Sequence, residues 1–335
     1  MISQVKSYYN QIQMTFNSTQ AFLIHLEISP QMKCILAQQA NIGRLVHRDE
    51  RANIAIARPE KPFRQYEFMM EETVKVHETG DKDPFYTGVT FLQGDRVMLT
   101  DFNNKRVLLL NSTYQYLSRL TLQQQPWDIC AVDQKVVAVS LPKLKTLQFL
   151  SVVNMTIKPS RTVQTRYECY GISEERAGTI VVSGNCNDKG RHYWGRLISS
   201  TGEMEKCHHF DCQCDPSETY VALNSSCTRI YVTIFKAKSL YCFDMNGSKM
   251  CVYSPDNLRN PRGVATDCDD NVYVAVGSIF DNIHQLTSYC TPFRIKTDCI
   301  PEVAHAISFN NARDKFVLTT FPDQSRTLFI YTFNS

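Results

Sequence analysis

The chain has 335 residues, of which 43% are hydrophobic and 21% are charged. These proportions are ordinary for a globular protein and exclude a disordered, collagen-like or wholly coiled-coil chain. The formal net charge of +3 at pH 7 is too small to indicate a nucleic-acid-binding protein by itself, so any basic function must depend on local clusters. The sequence has neither a long uninterrupted apolar run nor a secretory signal pattern, which predicts a soluble cytoplasmic protein with no membrane contact.

The N-terminal residues carry a heptad pattern. Apolar side chains recur at alternating spacings of three and four at Ile2, Val5, Tyr9, Ile12 and Phe16. The pattern predicts a helix over residues 1–22. This helix is either the end of a coiled coil, which would make a homodimer, or a surface helix that packs on another part of the protein. Residues 23–64, which contain several prolines, are predicted to form a linker.

From residue 65 onwards the sequence repeats. Six similar triplets each begin a unit: Thr87–Val89, Trp127–Ile129, Tyr170–Ile172, Thr219–Val221, Arg262–Val264 and His305–Ile307. The shortest interval between unit starts is 40 residues (87 to 127) and the longest is 49 (170 to 219). A period of about 40–45 residues is typical of the four-stranded blades of a β-propeller.

Each unit reads as short strands separated by turn residues. In the fifth unit, the turn at Asp269–Asn271 precedes an apolar run at Val272–Val276, and another strand begins at Ile283. A four-stranded sheet of this size cannot bury both of its faces alone, whereas six sheets around an axis cover one another. The fold class is therefore predicted to be all-β, with a six-bladed β-propeller over residues 65–335.

The sixth unit ends one strand short of four, at Tyr331–Phe333. An additional strand-like segment, Tyr66–His77, precedes the first unit. We predict that this segment supplies the missing strand of the last blade and closes the ring.

The first residues of the six units are expected to surround the axis at one mouth of the propeller. They are Thr87, Trp127, Tyr170, Thr219, Arg262 and His305. This ring contains no carboxylate, and neighbouring Asp128 alone cannot supply the oxygen ligands that calcium needs, which argues against an axial-metal hydrolase. Trp127, Tyr170, Arg262 and His305 are instead residue types that anchor interfaces. Trp127 is also a candidate plug for the channel, and the two roles are compatible.

Basic residues are concentrated in the loops between the second and third strands of four units. These pairs are Lys105 with Arg106, Lys143 with Lys145, Lys189 with Arg191, and Lys236 with Lys238. Equivalent loops of a propeller emerge on one face, so the pairs predict a positive face that either meets RNA phosphates or an acidic protein surface, or is merely solvated. Tyr193, Trp194 and Phe280 lie close to these loops in sequence and are candidate platforms for stacking RNA bases.

One segment has the composition of a metal site. Cys207, His208, His209, Cys212 and Cys214 lie within eight residues, yet a structural zinc site normally needs a second, separated ligand pair. The string is therefore interpreted as a thiol-rich loop rather than a zinc site, and no metal or cofactor is predicted. Other cysteines, such as Cys130, Cys242 and Cys251, fall at strand positions and are interpreted as small core residues.

The segment Pro261–Leu286, PRGVATDCDDNVYVAVGSIFDNIHQL, resembles an NHL repeat in its Pro/Gly turn, apolar triplet, Asp-rich hairpin and aromatic strand. A heptad segment, a linker and a six-bladed NHL-like propeller together resemble the C-terminal part of tripartite-motif (TRIM) proteins, especially the invertebrate type. The resemblance implies an E3 ubiquitin ligase architecture in which the propeller selects the substrate or RNA. The chain contains no RING or B-box zinc pattern, so it is expected to be part of a longer ligase or a relative without ligase chemistry.

The expected function is that of a non-catalytic recognition module, with a protein partner or ubiquitination substrate as its ligand. The alternative is binding of single-stranded RNA by the basic face. RNA binding predicts a steep salt dependence, because each phosphate contact releases counterions. An enzyme that uses a metal on the propeller axis is the third possibility.

Overall fold

The computed structural model describes residues 68–76, 82–176, 179–186, 191–198, 201, 203–212, 214, 217–277, 283–296, 303–321 and 327–333. The helix predicted over residues 1–22, its role in a dimer and the linker predicted over residues 23–64 lie outside the described residues. The described residues form six antiparallel sheets of four strands each. This confirms the all-β, six-bladed propeller.

The first strand, β1 (Phe68–Lys75), precedes the first complete blade. Blade 1 comprises β2 (Tyr86–Leu92), β3 (Arg96–Asp101), β4 (Arg106–Leu110) and β5 (Tyr116–Thr121). Blade 2 comprises β6 (Ile129–Ala131), β7 (Val136–Leu141), β8 (Thr146–Val153) and β9 (Thr156–Gln164), with a short 3-10 turn at Pro142–Leu144. Blade 3 comprises β10 (Glu168–Arg176), β11 (Thr179–Asn185), β12 (Arg191–Ile198) and β13 (Met204–Asp211).

Blade 4 comprises β14 (Thr219–Leu223), β15 (Arg229–Ile234), β16 (Ser239–Asp244) and β17 (Lys249–Tyr253). Blade 5 comprises β18 (Pro261–Thr266), β19 (Val272–Val276), β20 (Ile283–Leu286) and β21 (Pro292–Lys296). Blade 6 contains β22 (Val303–Phe309), β23 (Lys315–Phe321) and β24 (Thr327–Phe333), and β1 is its fourth strand. Within the described part of the chain, no helix is long and apolar enough to cross a membrane.

Closure of the ring by the N-terminal strand is confirmed. Strand β1 pairs antiparallel with β24, from Phe68 opposite Phe333 to Lys75 opposite Thr327. Phe68 is buried, and its ring meets Phe316 and Tyr331 edge to face at centroid distances of 5.0 and 5.4 Å. The two ends of the propeller sequence are therefore joined both by strand pairing and by aromatic packing.

Glycines in alternate blades let neighbouring inner strands approach closely. A Cβ atom placed on Gly88, Gly171 or Gly263 would lie 2.9, 2.6 and 2.8 Å from the Cα atoms of Asp128, Tyr220 and Ala306, respectively. These distances are too short for a side chain. The triplets of blades 1, 3 and 5 therefore need glycine in the middle, whereas those of blades 2, 4 and 6 provide the residue that packs on it.

Hydroxyl groups near the end of the second strand join most blades to the next one. Each of these groups contacts the inner strand of the following blade or a residue within two positions of its start. The hydroxyls belong to Thr100, Ser140, Ser183, Thr233 and Thr319. Thr233 donates to the carbonyl of Arg262 at 2.6 Å, and Thr319 donates to that of Tyr86 at 2.8 Å. Buried hydrogen bonds at equivalent positions fix the register between blades as the apolar cores fill the space around them.

Candidate functional site

The six inner strands, β2, β6, β10, β14, β18 and β22, surround the central channel, and its two ends differ. We call the end at which the inner strands begin the plugged end, because aromatic side chains fill it. We call the end at which they finish the open end, because it contains a cavity of about 390 Å³. The ring of first residues predicted from the sequence belongs to the plugged end.

Trp127 forms the centre of the plug. Only 6% of its surface is exposed, and its ring lies 5.6 Å from Tyr170, 6.0 Å from Tyr220, 5.8 Å from His305 and 5.9 Å from Phe102. The predicted role of Trp127 as a channel plug therefore agrees with its position. Its predicted role as an exposed anchor does not, because the side chain has almost no surface to offer a partner.

His305 is fully buried behind the plug, so it is also wrong as a surface anchor. Its Nε2 lies 2.8 Å from Nη1 of Arg262, which can only donate, so Nε2 accepts this hydrogen bond. The Nδ1–H group then faces the hydroxyl of Tyr220 at 3.1 Å, and that hydroxyl donates to the carbonyl of Thr87 at 2.7 Å. Burial, together with the charge of Arg262, lowers the pKa of His305 well below its usual range. A neutral imidazole thus links three blades.

The outer surface of the plug is aromatic and only half-buried. Besides Tyr170 and Arg262, it is formed by Phe85, Phe102, Phe235 and Phe321. The guanidinium of Arg262 lies 4.8 Å from the centre of the Phe235 ring, and the rings of Phe85 and Phe321 are 4.5 Å apart. We call these six residues the aromatic face. Tyr170 and Arg262 were predicted to bind here, whereas the four phenylalanines were missed.

Three of the predicted lysines occupy equivalent turns around the aromatic face. Lys105, Lys145 and Lys238 each end a four-residue turn between the second and third strands, with φ angles of 50°, 54° and 49°. The turns are closed by hydrogen bonds from these lysine amides to the carbonyls of Phe102, Pro142 and Phe235. In the same loops, Lys143 and Lys236 are exposed. Five lysines in three loops therefore lie on one face of the propeller, at the plugged end.

Other members of the predicted basic face are placed differently. Arg106 is wrong as a surface residue, because it is buried and paired with Asp101 at 3.0 Å. Arg191 is exposed and lies 3.5 Å from Asp211, and Lys189 lies outside the described residues. Glu168 and Glu218 lie close to Tyr170 and act to raise its pKa, although burial is the larger cause. The plugged end is therefore basic at its rim and mixed in charge near its centre.

The aromatic residues predicted to stack on RNA are also corrected. Tyr193 and Trp194 have no exposed surface, because strand β12 is buried between neighbouring strands. Phe280 lies outside the described residues. Any stacking at the plugged end would have to use the aromatic face instead.

The thiol-rich string is divided by the alternation of strand β13. His208 stacks on Trp194 at 4.5 Å, whereas His209 lies 3.0 Å from the sulfur of Cys186. Cys212 and Cys214 join His192 of the neighbouring strand, and their potential ligand atoms all lie within 4.8 Å of one another. The string is therefore divided among separate contacts, and two of its cysteines join a histidine of another strand in a group of three potential ligands.

The open end differs in its chemistry, because carboxylates line the cavity. They come from Asp128, Glu174 and Glu175, and no histidine occurs among the described lining residues. Asp128 accepts hydrogen bonds from the amides of Ile129 and Ile172 at 2.9 and 3.0 Å. Burial nevertheless raises its pKa to about 7. Burial and the charge of Asp133 also raise the pKa of Glu174.

Of the carboxylates of the open end, sequence analysis named only Asp128, the middle residue of the second triplet, whereas Glu174 and Glu175 escaped it because they follow the third triplet. Three of the four missed phenylalanines do follow a pattern that sequence analysis could have used. Phe102, Phe235 and Phe321 each come directly after the second strand of a unit or end it, which is a repeated position. Alignment of the six units on their second strands would have revealed this signal.

Comparison with known proteins supports the class of fold. Neither a family model nor a curated protein matches the sequence. Among solved structures, virginiamycin B lyase from Staphylococcus aureus matches 80% of this chain and 99% of its own, with 13% identity and a TM-score of 0.55. A streptogramin B lyase matches 80% and 98%, with 11% identity and a TM-score of 0.56. The Cps50 (Swd1) β-propeller domain of Myceliophteria thermophila matches 79% and 99%, with 10% identity and a TM-score of 0.58. At these identities the likeness shows a β-propeller fold alone.

Proposed function

We propose that this propeller is a non-catalytic recognition module that binds a protein partner at its plugged end. The observation that carries the proposal is the aromatic face, in which half-buried rings surround Arg262 on a rigid base. Aromatic and arginine side chains dominate interface energetics because they offer large areas with little loss of side-chain entropy. The plug beneath them holds this surface in one arrangement before a partner arrives.

The charge around the aromatic face indicates the kind of partner. Lys105, Lys143, Lys145, Lys236 and Lys238 lie in the three loops beside it. Their charges would attract a partner segment that combines acidic residues with apolar or aromatic ones. The apolar side chains of such a segment would pack on the rings, and its carboxylates would meet the lysines.

A binding role needs neither a catalytic histidine nor a metal centre in the cavity of the open end. No described cavity residue is a histidine, and the clusters of potential metal ligands in the described part of the chain do not include Asp128, Glu174 or Glu175. At 13% and 11% identity, the likeness to two lyases extends to the fold alone. We propose that the partner is a ubiquitination substrate of a TRIM-type ligase, as the NHL-like fifth unit suggests.

The proposal is tested by selecting displayed random peptides on the full chain. Selected peptides should be enriched in acidic and aromatic residues. They should lose at least tenfold in affinity on Phe235→Ala, which removes a half-buried ring of the aromatic face and leaves Trp127 and His305 unchanged. The matched control is Glu174→Gln at the open end, which should bind normally. Peptides that lose binding only on Glu174→Gln would place recognition at the opposite end and overturn the proposal.

Binding of single-stranded RNA is the second candidate, because exposed lysines lie beside half-exposed rings. A variant that carries Lys105→Asn, Lys145→Asn and Lys238→Asn removes three charges, and asparagine tolerates the positive φ angle at each position. RNA binding would appear as saturable fluorescence polarisation that weakens steeply with salt, with a smaller salt slope in the variant. No saturable binding at low salt would exclude RNA and leave the protein partner.

A further inference from the structure

Three cysteines from two neighbouring blades meet in the core between blades 4 and 5. Cys242 lies on β16 and is paired in register with Cys251 on β17. Cys290 comes from the turn between β20 and β21 of the next blade. All three are free thiols. Sequence analysis interpreted Cys242 and Cys251 as core residues and did not associate Cys290 with them, because blade packing alone brings the third thiol into place.

The three sulfur atoms are close enough to share one ligand. They all lie within 4.8 Å of one another, and the sulfurs of Cys251 and Cys290 are 2.7 Å apart. Zinc–sulfur bonds of about 2.3 Å in tetrahedral geometry place sulfur atoms roughly 3.8 Å apart. Small rotations of the three side chains would reach this spacing. Cys242 and Cys290 are buried and Cys251 is half-buried, so an ion would have one side towards solvent.

The surrounding residues fix the turn that carries Cys290. Arg229 and Tyr231 of blade 4 both donate to the carbonyl of Ser288, at 3.2 and 2.9 Å. The guanidinium of Arg229 also lies 3.9 Å from the centre of the Tyr289 ring. The amide of Cys290 donates to the carbonyl of Thr287 at 2.9 Å. The turn is therefore held against blade 4 by contacts that do not involve the sulfurs.

The charge of Arg229 suits an anionic metal complex. Three thiolates and one divalent cation carry a net charge of −1, which a nearby guanidinium balances. Arg229 is close enough to act on both Cys242 and Cys251. Soft thiolate ligands select closed-shell thiophilic cations such as Zn²⁺ and Cu⁺ over oxygen-seeking ions. The charge balance favours the divalent ion.

We propose that Cys242, Cys251 and Cys290 bind a thiophilic divalent cation, with zinc as the ion tested, and that this ion ties blade 4 to blade 5. A disulfide between Cys251 and Cys290 would engage only two of the three sulfurs and would leave the thiol of Cys242 beside it. A bound cation engages all three at once. Binding to the folded protein stabilises it by mass action, because the three ligands meet only after blades 4 and 5 have packed.

The experiment measures metal content and thiolate coordination in the full chain purified with a reducing agent. After incubation with Zn²⁺ and removal of weakly bound metal, the native protein should retain one more equivalent of zinc per chain than Cys251→Ser. Replacement by Cd²⁺ should give a sulfur-to-metal charge-transfer absorption that Cys251→Ser and Cys290→Ser both lack. Chelation should lower the melting temperature of the native protein, and added Zn²⁺ should restore it.

The matched control carries Cys212→Ser and Cys214→Ser, which removes two ligands of the second group found among the described residues. This control should keep both the charge-transfer absorption and the metal-dependent melting temperature. Equal zinc content in folded Cys251→Ser and in the native protein would overturn the proposal, with folding checked by circular dichroism. Detection of a Cys251–Cys290 disulfide after reducing purification would also overturn it. Stronger binding of Cu⁺ than of Zn²⁺ in competition would contradict the preference for a divalent ion.

Discussion

The two ends of the central channel are built from the same six strands, yet they have opposite properties. At the plugged end, Trp127 and His305 are buried among aromatic rings, and lysines lie in the surrounding loops. At the open end, a cavity is lined by carboxylates, including Asp128. The repeat fixes the strands but leaves the residues at each end free to differ. One end can therefore serve rigidity and surface recognition, whereas the other retains an accessible polar space.

The largest effect is expected from opening the plug. Trp127→Ala should lower the free energy of unfolding by about 3–5 kcal/mol, because it removes a buried ring that contacts four aromatic neighbours. Trp127→Phe should cost much less, since it keeps an aromatic ring and removes an indole N–H with no acceptor in the described structure. Urea titration of both variants measures this. Equal stability of Trp127→Ala and the native protein would show that the plug is not structural.

Asp128 at the open end should make the stability of the protein depend on pH. The pKa of Asp128 is raised to about 7 by burial, so the folded protein binds this proton more tightly than the unfolded chain does. This contribution to stability is complete below about pH 4 and is lost as pH rises towards 7, by on the order of 1.4 kcal/mol per pH unit within that window. Asp128→Asn should remove this slope. Unfolding free energies between pH 4 and 8 test it, and parallel profiles for the two proteins would contradict it.

A smaller effect on stability is expected from substituting the glycines of the inner strands, which surround the channel. Gly171→Ala should cost about 1–3 kcal/mol, because its Cβ would lie 2.6 Å from the Cα of Tyr220 and force the inner strands apart. Gly88→Ala, where the corresponding distance is 2.9 Å, is the matched comparison and should cost less. Thermal unfolding distinguishes the two. A larger loss of stability for Gly88→Ala than for Gly171→Ala would show that the distance to the neighbouring strand does not determine the cost.

The smallest effect on stability is expected in the loops at the rim of the plugged end. Two lysine variants there distinguish the contribution of backbone conformation from that of charge. Lys145 has a φ angle of 54°, which glycine adopts without strain, so Lys145→Gly should change stability by less than about 1 kcal/mol. Lys143, in the 3-10 turn of the same loop, has no positive φ angle, and Lys143→Gly should be the more destabilising change. Both remove one positive charge. Chemical denaturation of the two variants measures this. A lower free energy of unfolding for Lys145→Gly than for Lys143→Gly would contradict the prediction.

Much of the fold could be predicted because a propeller is specified by local repetition. The fifth unit shows this, since its apolar run Val272–Val276 is strand β19 residue for residue. The closing strand was predictable for the same reason, because a unit one strand short needs a partner from elsewhere. Candidate sites were harder to predict. Arg106 looked like a surface base until the fold placed Asp101 beside it.

The sequence by itself determined the number of blades, the strand that closes the ring and the placement of lysine turns on one face. These properties follow from short-range patterns of apolar and turn residues, which repeat along the chain. Only the tertiary structure decided which end of the channel is filled, which phenylalanines form a surface, and that Cys242, Cys251 and Cys290 meet. Each of these depends on contacts between residues of different blades. Such contacts are set by packing of the whole ring rather than by any local pattern.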